Sequence, residues 1–225
     1  MTLTPIAHMR SAFPEKFGIP RQSALLPELR STILFTPPFR NADALRGLED
    51  TSHIWLIWGF SENKTAEFSP TVRPPRLGGN ARLGVFATRS PFRPNGLGLS
   101  CVELAGIDWQ SEEGPRLHVL GADLMDGTPI FDIKPYLPYT DAPEGARSPF
   151  AAPEPKLAVN LPETLAAKLP EDARDPLRAL LALDPRPSYQ NDPERSYGLA
   201  FQGFELRFSV KDGTVFVTEL FRREA

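Results

Sequence analysis

Cysteine is nearly absent. Cys101 stands alone in 225 residues, which excludes an internal disulfide and points to a reducing, cytoplasmic setting. It sits in the apolar run LGLSCVEL, where a thiol reads as a packed small side chain rather than a nucleophile. The three histidines, His8, His53 and His118, have no metal-ligand spacing and no cysteine pairs beside them, so no metal site is expected. No apolar stretch reaches membrane-spanning length; the longest, HIWLIWGF at 53–60, suits a strand. The amino terminus lacks the basic and apolar parts of a secretory signal, so a soluble intracellular protein is expected. There is no Walker loop and no G-x-S-x-G elbow. Gly96-Leu97-Gly98 opens like a dinucleotide fingerprint, but the third glycine position holds Cys101 and the segment runs on as a strand. A hydrolase or a nicotinamide enzyme is not supported.

Acid is missing from one particular stretch. Pro70–Ser100 (PTVRPPRLGGNARLGVFATRSPFRPNGLGLS) carries Arg73, Arg76, Arg82, Arg89 and Arg93 with no Asp or Glu, in a chain of net charge −3. Its prolines and glycines put most of these arginines on loops or strand ends. Guanidinium groups capture carboxylate or phosphate bidentately and stack on bases, so this segment reads as an anion site; a merely solvated loop would mix in acids and lysines.

The remaining composition is globular, 41% hydrophobic and 24% charged, but the 25 prolines are about twice ordinary usage and argue against an all-helical fold. Strands are expected at 3–9, 31–35, 53–60, 83–89, 97–109, 116–125 and 129–133, with helical turns at 41–50 capped by Asn41 and stopped at Gly47. His53–Phe60 is apolar on both faces and is expected at the centre of the sheet. Strands succeed one another without intervening helices, so the sheet is expected to be antiparallel and a barrel. Residues 138–156 turn to Pro, Ala and Ser and read as a linker or long loop. Helices are expected at 161–169 and 172–183, and a hairpin from 199–210 and 214–221 through Lys211-Asp212-Gly213. The fold class is therefore mainly β: a small antiparallel β-barrel domain at 1–140, a linker at 141–157 and a smaller α+β domain at 158–225.

Two further features bear charge on neighbouring strand ends, as a zwitterionic ligand needs. One is the turn Asp123-Leu124-Met125-Asp126-Gly127; the other is Asp132-Ile133-Lys134-Pro135-Tyr136. Each has a plainer reading, as an ordinary Asp-Gly turn and a solvated ion pair.

In PRQ (20–22), ADALRGLE (42–49), TVRPPRLGGNARLGVFATRSPFRPN (71–95), DLMDGTPIFDIKPYLP (123–138) and DPRP (184–187), the chain resembles the TsaA-like or TrmO family. Members of that family methylate threonylcarbamoyladenosine at position 37 of tRNA. The resemblance covers nearly all of the chain and is densest at 41–138. It implies an S-adenosylmethionine-dependent methyltransferase on a β-barrel, working as a homodimer with the cofactor near the subunit interface. Carried over by motif, the cofactor-contacting positions are Pro20, Arg21, Gln22, Ser61, Glu62, Arg89, Leu99, Asp123, Leu124, Met125 and Asp126. The family's Asn-Pro-Ile-Gly becomes Asn95-Gly96-Leu97-Gly98 here, which loosens the turn beside Arg89.

Arg21 or Arg89 would hold the cofactor carboxylate, and Asp123 or Asp126 its ammonium or ribose hydroxyls. Asp126 and Asp132 are the candidate catalytic proton acceptors. Arg73, Arg76, Arg82, Arg93, Lys134 and Tyr136 would grip and stack on the anticodon loop, extended by Arg186 and Tyr189 of the second unit. Two other readings stand beside this one: a non-catalytic RNA-binding or regulatory module on the same barrel, and a small-molecule methyltransferase. The intact PRQ, ATRS and DLMDG motifs favour a working cofactor site, and the DPRP-bearing second unit favours a large RNA substrate.

Overall fold

The computed structural model describes residues 2–62, 69–73, 82–150, 157–186, 190 and 192–223. Six strands, β1 (Ala7–Arg10), β2 (Arg30–Phe35), β3 (His53–Gly59), β6 (Leu97–Asp108), β7 (Arg116–Leu120) and β8 (Pro129–Pro135), close into an antiparallel barrel in the order β1-β2-β7-β6-β3-β8. A two-stranded ribbon, β4 (Thr71–Val72) with β5 (Leu83–Gly84), stands apart from it. Closure removes the free edges that a six-stranded open sheet would expose.

The barrel interior is filled by alternate residues, among them Ala7 and Met9, Ile33, Ile54 and Leu56, Val102, Leu117 and Val119, and Ile130, each 1% exposed or less. Period-two alternation explains why only half of HIWLIWGF is buried: β3 lies between β6 and β8, with Ile54, Leu56 and Trp58 inward and His53, Trp55 and Ile57 outward. The strand expected to be apolar on both faces is thus covered on one of them.

A second sheet, ordered β10-β11-β12-β9, is built from β9 (Ala158–Asn160), β10 (Tyr197–Phe201), β11 (Phe204–Lys211) and β12 (Thr214–Arg222). Helices α2 (Glu163–Ala166) and α3 (Glu171–Ala182) pack their apolar faces on it, through Ala166, Leu177, Leu180 and Leu181. Its core also takes Ala12, Phe13, Leu26 and Leu29 from the connection between β1 and β2. That connection, residues 11–29, carries Pro20-Arg21-Gln22, so both halves of the molecule fix its position.

Several expectations need correcting. Residues 83–89 are not one strand. Only Leu83–Gly84 finds a partner, and Val85–Ala87 then winds into a single helical turn closed by Thr88 N–H donating to Val85 O at 3.2 Å. Residues 199–210 are two strands, because the chain reverses at Gln202 and Gly203, whose φ values of 48° and 77° make a two-residue hairpin turn. The same geometry at Asp212 and Gly213 (50° and 72°) makes the expected second hairpin. β9 was not foreseen; three residues pairing parallel with β12 carry too little pattern to announce a strand. Within 138–156, expected as loop, α1 (Pro138–Asp141) forms one turn, anchored where Asp141 Oδ2 accepts from Trp55 Nε1 at 2.8 Å and from Leu137 N–H at 2.9 Å. The Asn41 cap is present, its side chain accepting from Asp43 N–H at 2.9 Å.

Candidate active site

A cleft of about 630 Å³ opens on the barrel beside the ends of β3 and β6. That is within the ordinary range for a small-molecule site, roughly 300–1,000 Å³. Four separate stretches line it: 19–22 from the β1–β2 connection, 57–62 at the end of β3, 88–99 from the arginine segment into β6, and 123–125 after β7. Pro20, Arg21, Gln22, Ser61, Glu62, Arg89, Leu99, Asp123, Leu124 and Met125 all lie on its wall, as do Lys16, Trp58 and Arg93.

Local chemistry holds these stretches together. Asp126 N–H donates to Phe13 O at 2.8 Å and Ala24 N–H to Gly121 O at 2.8 Å, which binds the 11–29 connection to the loop after β7. Arg89 donates to Gln22 Oε1 at 2.5 Å, bridging the arginine segment to the PRQ loop. Lys16 Nζ donates to Glu62 O at 2.8 Å, tying the same connection to the end of β3. Arg21 donates to the backbone carbonyl of Arg186 at 3.2 Å, reaching the second sheet's side of the molecule.

Asp123 is the carboxylate at the bottom of this arrangement. Its Oδ1 accepts from Ser100 Oγ at 2.6 Å, and Ser100 Oγ accepts in turn from Trp58 Nε1 at 2.9 Å. Burial pushes the Asp123 carboxyl up from its ordinary value, and the Ser100 hydroxyl, backbone N–H groups and the Arg89 charge pull part of the way back. The cleft thus presents fixed positive groups at its rim and one half-buried carboxyl within. That donor set suits a ligand carrying both charges, such as an amino acid moiety.

The tRNA-methyltransferase O N-terminal domain matches residues 8–142, and the TrmO C-terminal domain matches residues 154–223. The chain belongs to this family. The Escherichia coli tRNA (adenine(37)-N6)-methyltransferase is 41% identical over 92% of this chain and 92% of its own length. A Pseudomonas aeruginosa protein under the provisional name S-adenosylmethionine-dependent methyltransferase RcsF is 47% identical over 92% of this chain and 91% of its own. The crystal structure of TrmO from Pseudomonas aeruginosa superposes with a TM-score of 0.78 at 36% identity, covering 98% of both chains.

Not every residue expected of this TrmO-family site is in it. Asp126 does not line the cleft; its carboxylate is engaged by Arg10 at 3.2 Å and by Ser11 N–H at 3.0 Å. Asp132 lies outside too, paired with Lys134 at 3.2 Å and accepting from its neighbour Ile133 N–H at 2.9 Å. Lys134 sits on the outer face of β8 and Tyr136 just past its end, where the Tyr136 ring leans on Trp55 and His53 at 5.9 and 6.1 Å. Arg186, expected as an exposed RNA contact, is 8% exposed and clamped by both Asp184 carboxylate oxygens at 2.8 Å, so its guanidinium is spent inside the protein. Arg93 donates to Thr88 O at 2.7 Å and Val85 O at 3.3 Å and braces the loop carrying Arg89. Arg73 and Arg82 are exposed side by side at one end of the small ribbon, beyond the Val72–Leu83 pair. Arg76 and Tyr189 lie outside the described residues.

Trp58, Ser100 and Lys16 escaped the sequence reading. Trp58 and Ser100 belong to strand runs that read as packing. Only the register, with Leu56 opposite Ser100 and Trp58 opposite Gly98, brings them beneath Asp123. Among the described residues, no group of three His, Cys, Asp or Glu is placed to hold a metal, and no helix is long and apolar enough to cross a membrane.

Proposed function

We propose that the chain is an S-adenosylmethionine-dependent methyltransferase acting on N6 of adenosine 37 in tRNA, with the threonylcarbamoylated nucleoside as its substrate. The observation that carries this reading is the cleft itself. Segments distant in sequence, 19–22, 57–62, 88–99 and 123–125, converge on one cavity of about 630 Å³ with arginines at its rim and a carboxyl inside.

The residues present fit the cofactor. Arg89, oriented by Gln22, and Arg21, oriented by the Arg186 carbonyl, are placed to take its carboxylate. Asp123 offers an acceptor for the ammonium or ribose hydroxyls, and the backbone beside Leu99 and Leu124 is available to the adenine edge. When bound, the cofactor supplies an electrophilic methyl on a cationic sulfur. Methyl transfer is an in-line displacement, so holding the acceptor nitrogen against that methyl is the protein's main contribution. Arg73 and Arg82, exposed at the small ribbon, offer positive charge to tRNA phosphates. The division into a barrel at 1–140, a linker at 141–157 and an α+β unit at 158–225 serves this reading, the second unit holding the PRQ loop through Phe13, Leu26 and Leu29.

The working unit is a homodimer in the cytoplasm, where tRNA is processed. Leu99 supports this: it lines the cleft yet is 53% exposed, on the same outer face as Ile57, so a second copy seated there would complete the cavity wall. Light scattering coupled to size exclusion reads that state directly.

The function is tested with cofactor labelled in its methyl group and bulk tRNA from cells lacking the activity. Label in RNA supports the proposal. Tight cofactor binding with no label in RNA points to a small-molecule acceptor, and neither label nor binding leaves a non-catalytic RNA-binding module.

A further inference from the structure

We propose that Ser100, held by the indole of Trp58, is the positioning residue of the cleft carboxylate Asp123, occupying one of its oxygens and leaving the other for the bound ligand. An indole N–H only donates, so the 2.9 Å contact from Trp58 Nε1 consumes a lone pair of Ser100 Oγ. Ser100 owns a single proton, and at 2.6 Å from Asp123 Oδ1 that proton points at the carboxylate. The separation is typical of an O–H donor on an ionised acceptor. Ser100 is 1% exposed and Trp58 8%, so the pair is fixed by packing as well as by bonding.

Gly98 completes the device. A Cβ there would lie 2.3 Å from Trp58 Cε2, so the indole can lie over the strand and reach Ser100 only because residue 98 has no side chain. Around Asp123, Arg89 is the charge that draws its proton affinity down. Arg21, Arg93 and Lys16 supply further cations on the cleft wall and Glu62 a further acid, while the Ser23 backbone contributes a hydrogen bond. The Asp123 backbone N–H bonds the carboxylate as well, and among the side chains it is Ser100, held by Trp58, that takes Oδ1.

The identity of the ligand rests on the reading above; the orientation of Asp123 does not. The experiment follows the Asp123 carboxyl by carbon NMR in the unliganded protein, with Asp123→Asn identifying the signal. In Ser100→Ala the titration midpoint moves up, because a hydrogen bond favouring the ionised form is gone. Trp58→Phe, which frees the Ser100 hydroxyl to rotate, moves it in the same direction by less. Affinity for S-adenosylhomocysteine, measured by calorimetry, falls on the order of ten-fold in Ser100→Ala, and Ser100→Thr restores it. A merely structural serine would lower the melting temperature and leave the midpoint where it was. An unmoved midpoint in folded Ser100→Ala overturns the proposal; should that variant not fold, an unmoved midpoint in Trp58→Phe does so. If the midpoint moves but the unmodified protein binds no S-adenosylhomocysteine, the positioning stands and the cofactor reading falls.

Discussion

Replacing Gly98 by alanine puts a methyl group inside the Trp58 ring. The added Cβ would lie 2.3, 2.4 and 2.7 Å from Cε2, Cζ2 and Cδ2 of the indole, where carbon atoms prefer about 3.5–4.0 Å. The ring must therefore retreat by roughly an ångström. It has little room, because Phe60 packs edge-on against it with ring centroids 4.4 Å apart and only 8% of Trp58 is exposed. Overpacking of this kind costs about 1–3 kcal/mol. Retreat also stretches the buried Trp58–Ser100 hydrogen bond, worth about 0.5–1.5 kcal/mol. The expected destabilisation is thus about 2–4 kcal/mol. Urea denaturation should report it as a lowered midpoint with an unchanged slope. In a Trp58→Leu background the clash has no partner, and the cost of Gly98→Ala should shrink by more than about 1 kcal/mol in a double-mutant cycle. Equal costs in the two backgrounds would refute the steric account.

Asp123→Asn should stabilise the ligand-free protein at neutral pH while weakening cofactor binding, since the buried carboxyl has a raised proton affinity. Between the ordinary aspartate value and the raised one the native state holds a proton that the unfolded chain has released, so this group's contribution falls as pH rises through that window. Thermal melts across acidic to neutral pH should show Asp123→Asn gaining most at the upper end, and a uniform shift would contradict it. Arg186→Ala should cost about 2 kcal/mol by urea denaturation, because it strands the Asp184 carboxylate that accepts both guanidinium bonds. Loss of tRNA affinity at unchanged stability would instead return Arg186 to the RNA surface. Cys101 should alkylate more slowly than the same thiol in the denatured chain, because burial and then the Asp141 charge raise its proton affinity. Equal rates would contradict that environment.

The barrel was legible because its strands carry their own punctuation: β3, β6, β7 and β8 begin or end within a few residues of their expected bounds. The residues that the motifs offer as cofactor contacts also line one cleft, apart from Asp126. What sequence could not show was where a carboxylate points. Asp123 and Asp126 stand three positions apart in one turn, yet the first faces the cleft and the second pairs with Arg10 on another strand. Arg186 likewise read as a charge for RNA because composition reports the charge and not its partner. Asp184, two residues away in an irregular turn with φ of 53°, takes it inward. The reversal at Gln202 and Gly203 shows in the sequence only as a one-position slip of the apolar alternation, from Leu199 and Phe201 to Phe204, Leu206 and Phe208, inside a run that is otherwise strand-like.

The central claim is best tested at the level of the nucleoside. Purified protein, labelled S-adenosylmethionine and two tRNA pools, one with and one without the threonylcarbamoyl group on adenosine 37, are incubated and digested for mass spectrometry. The account predicts labelled N6-methylated threonylcarbamoyladenosine from the first pool and no label from the second. Label on an unmodified adenosine, or on a position outside the anticodon loop, would contradict it.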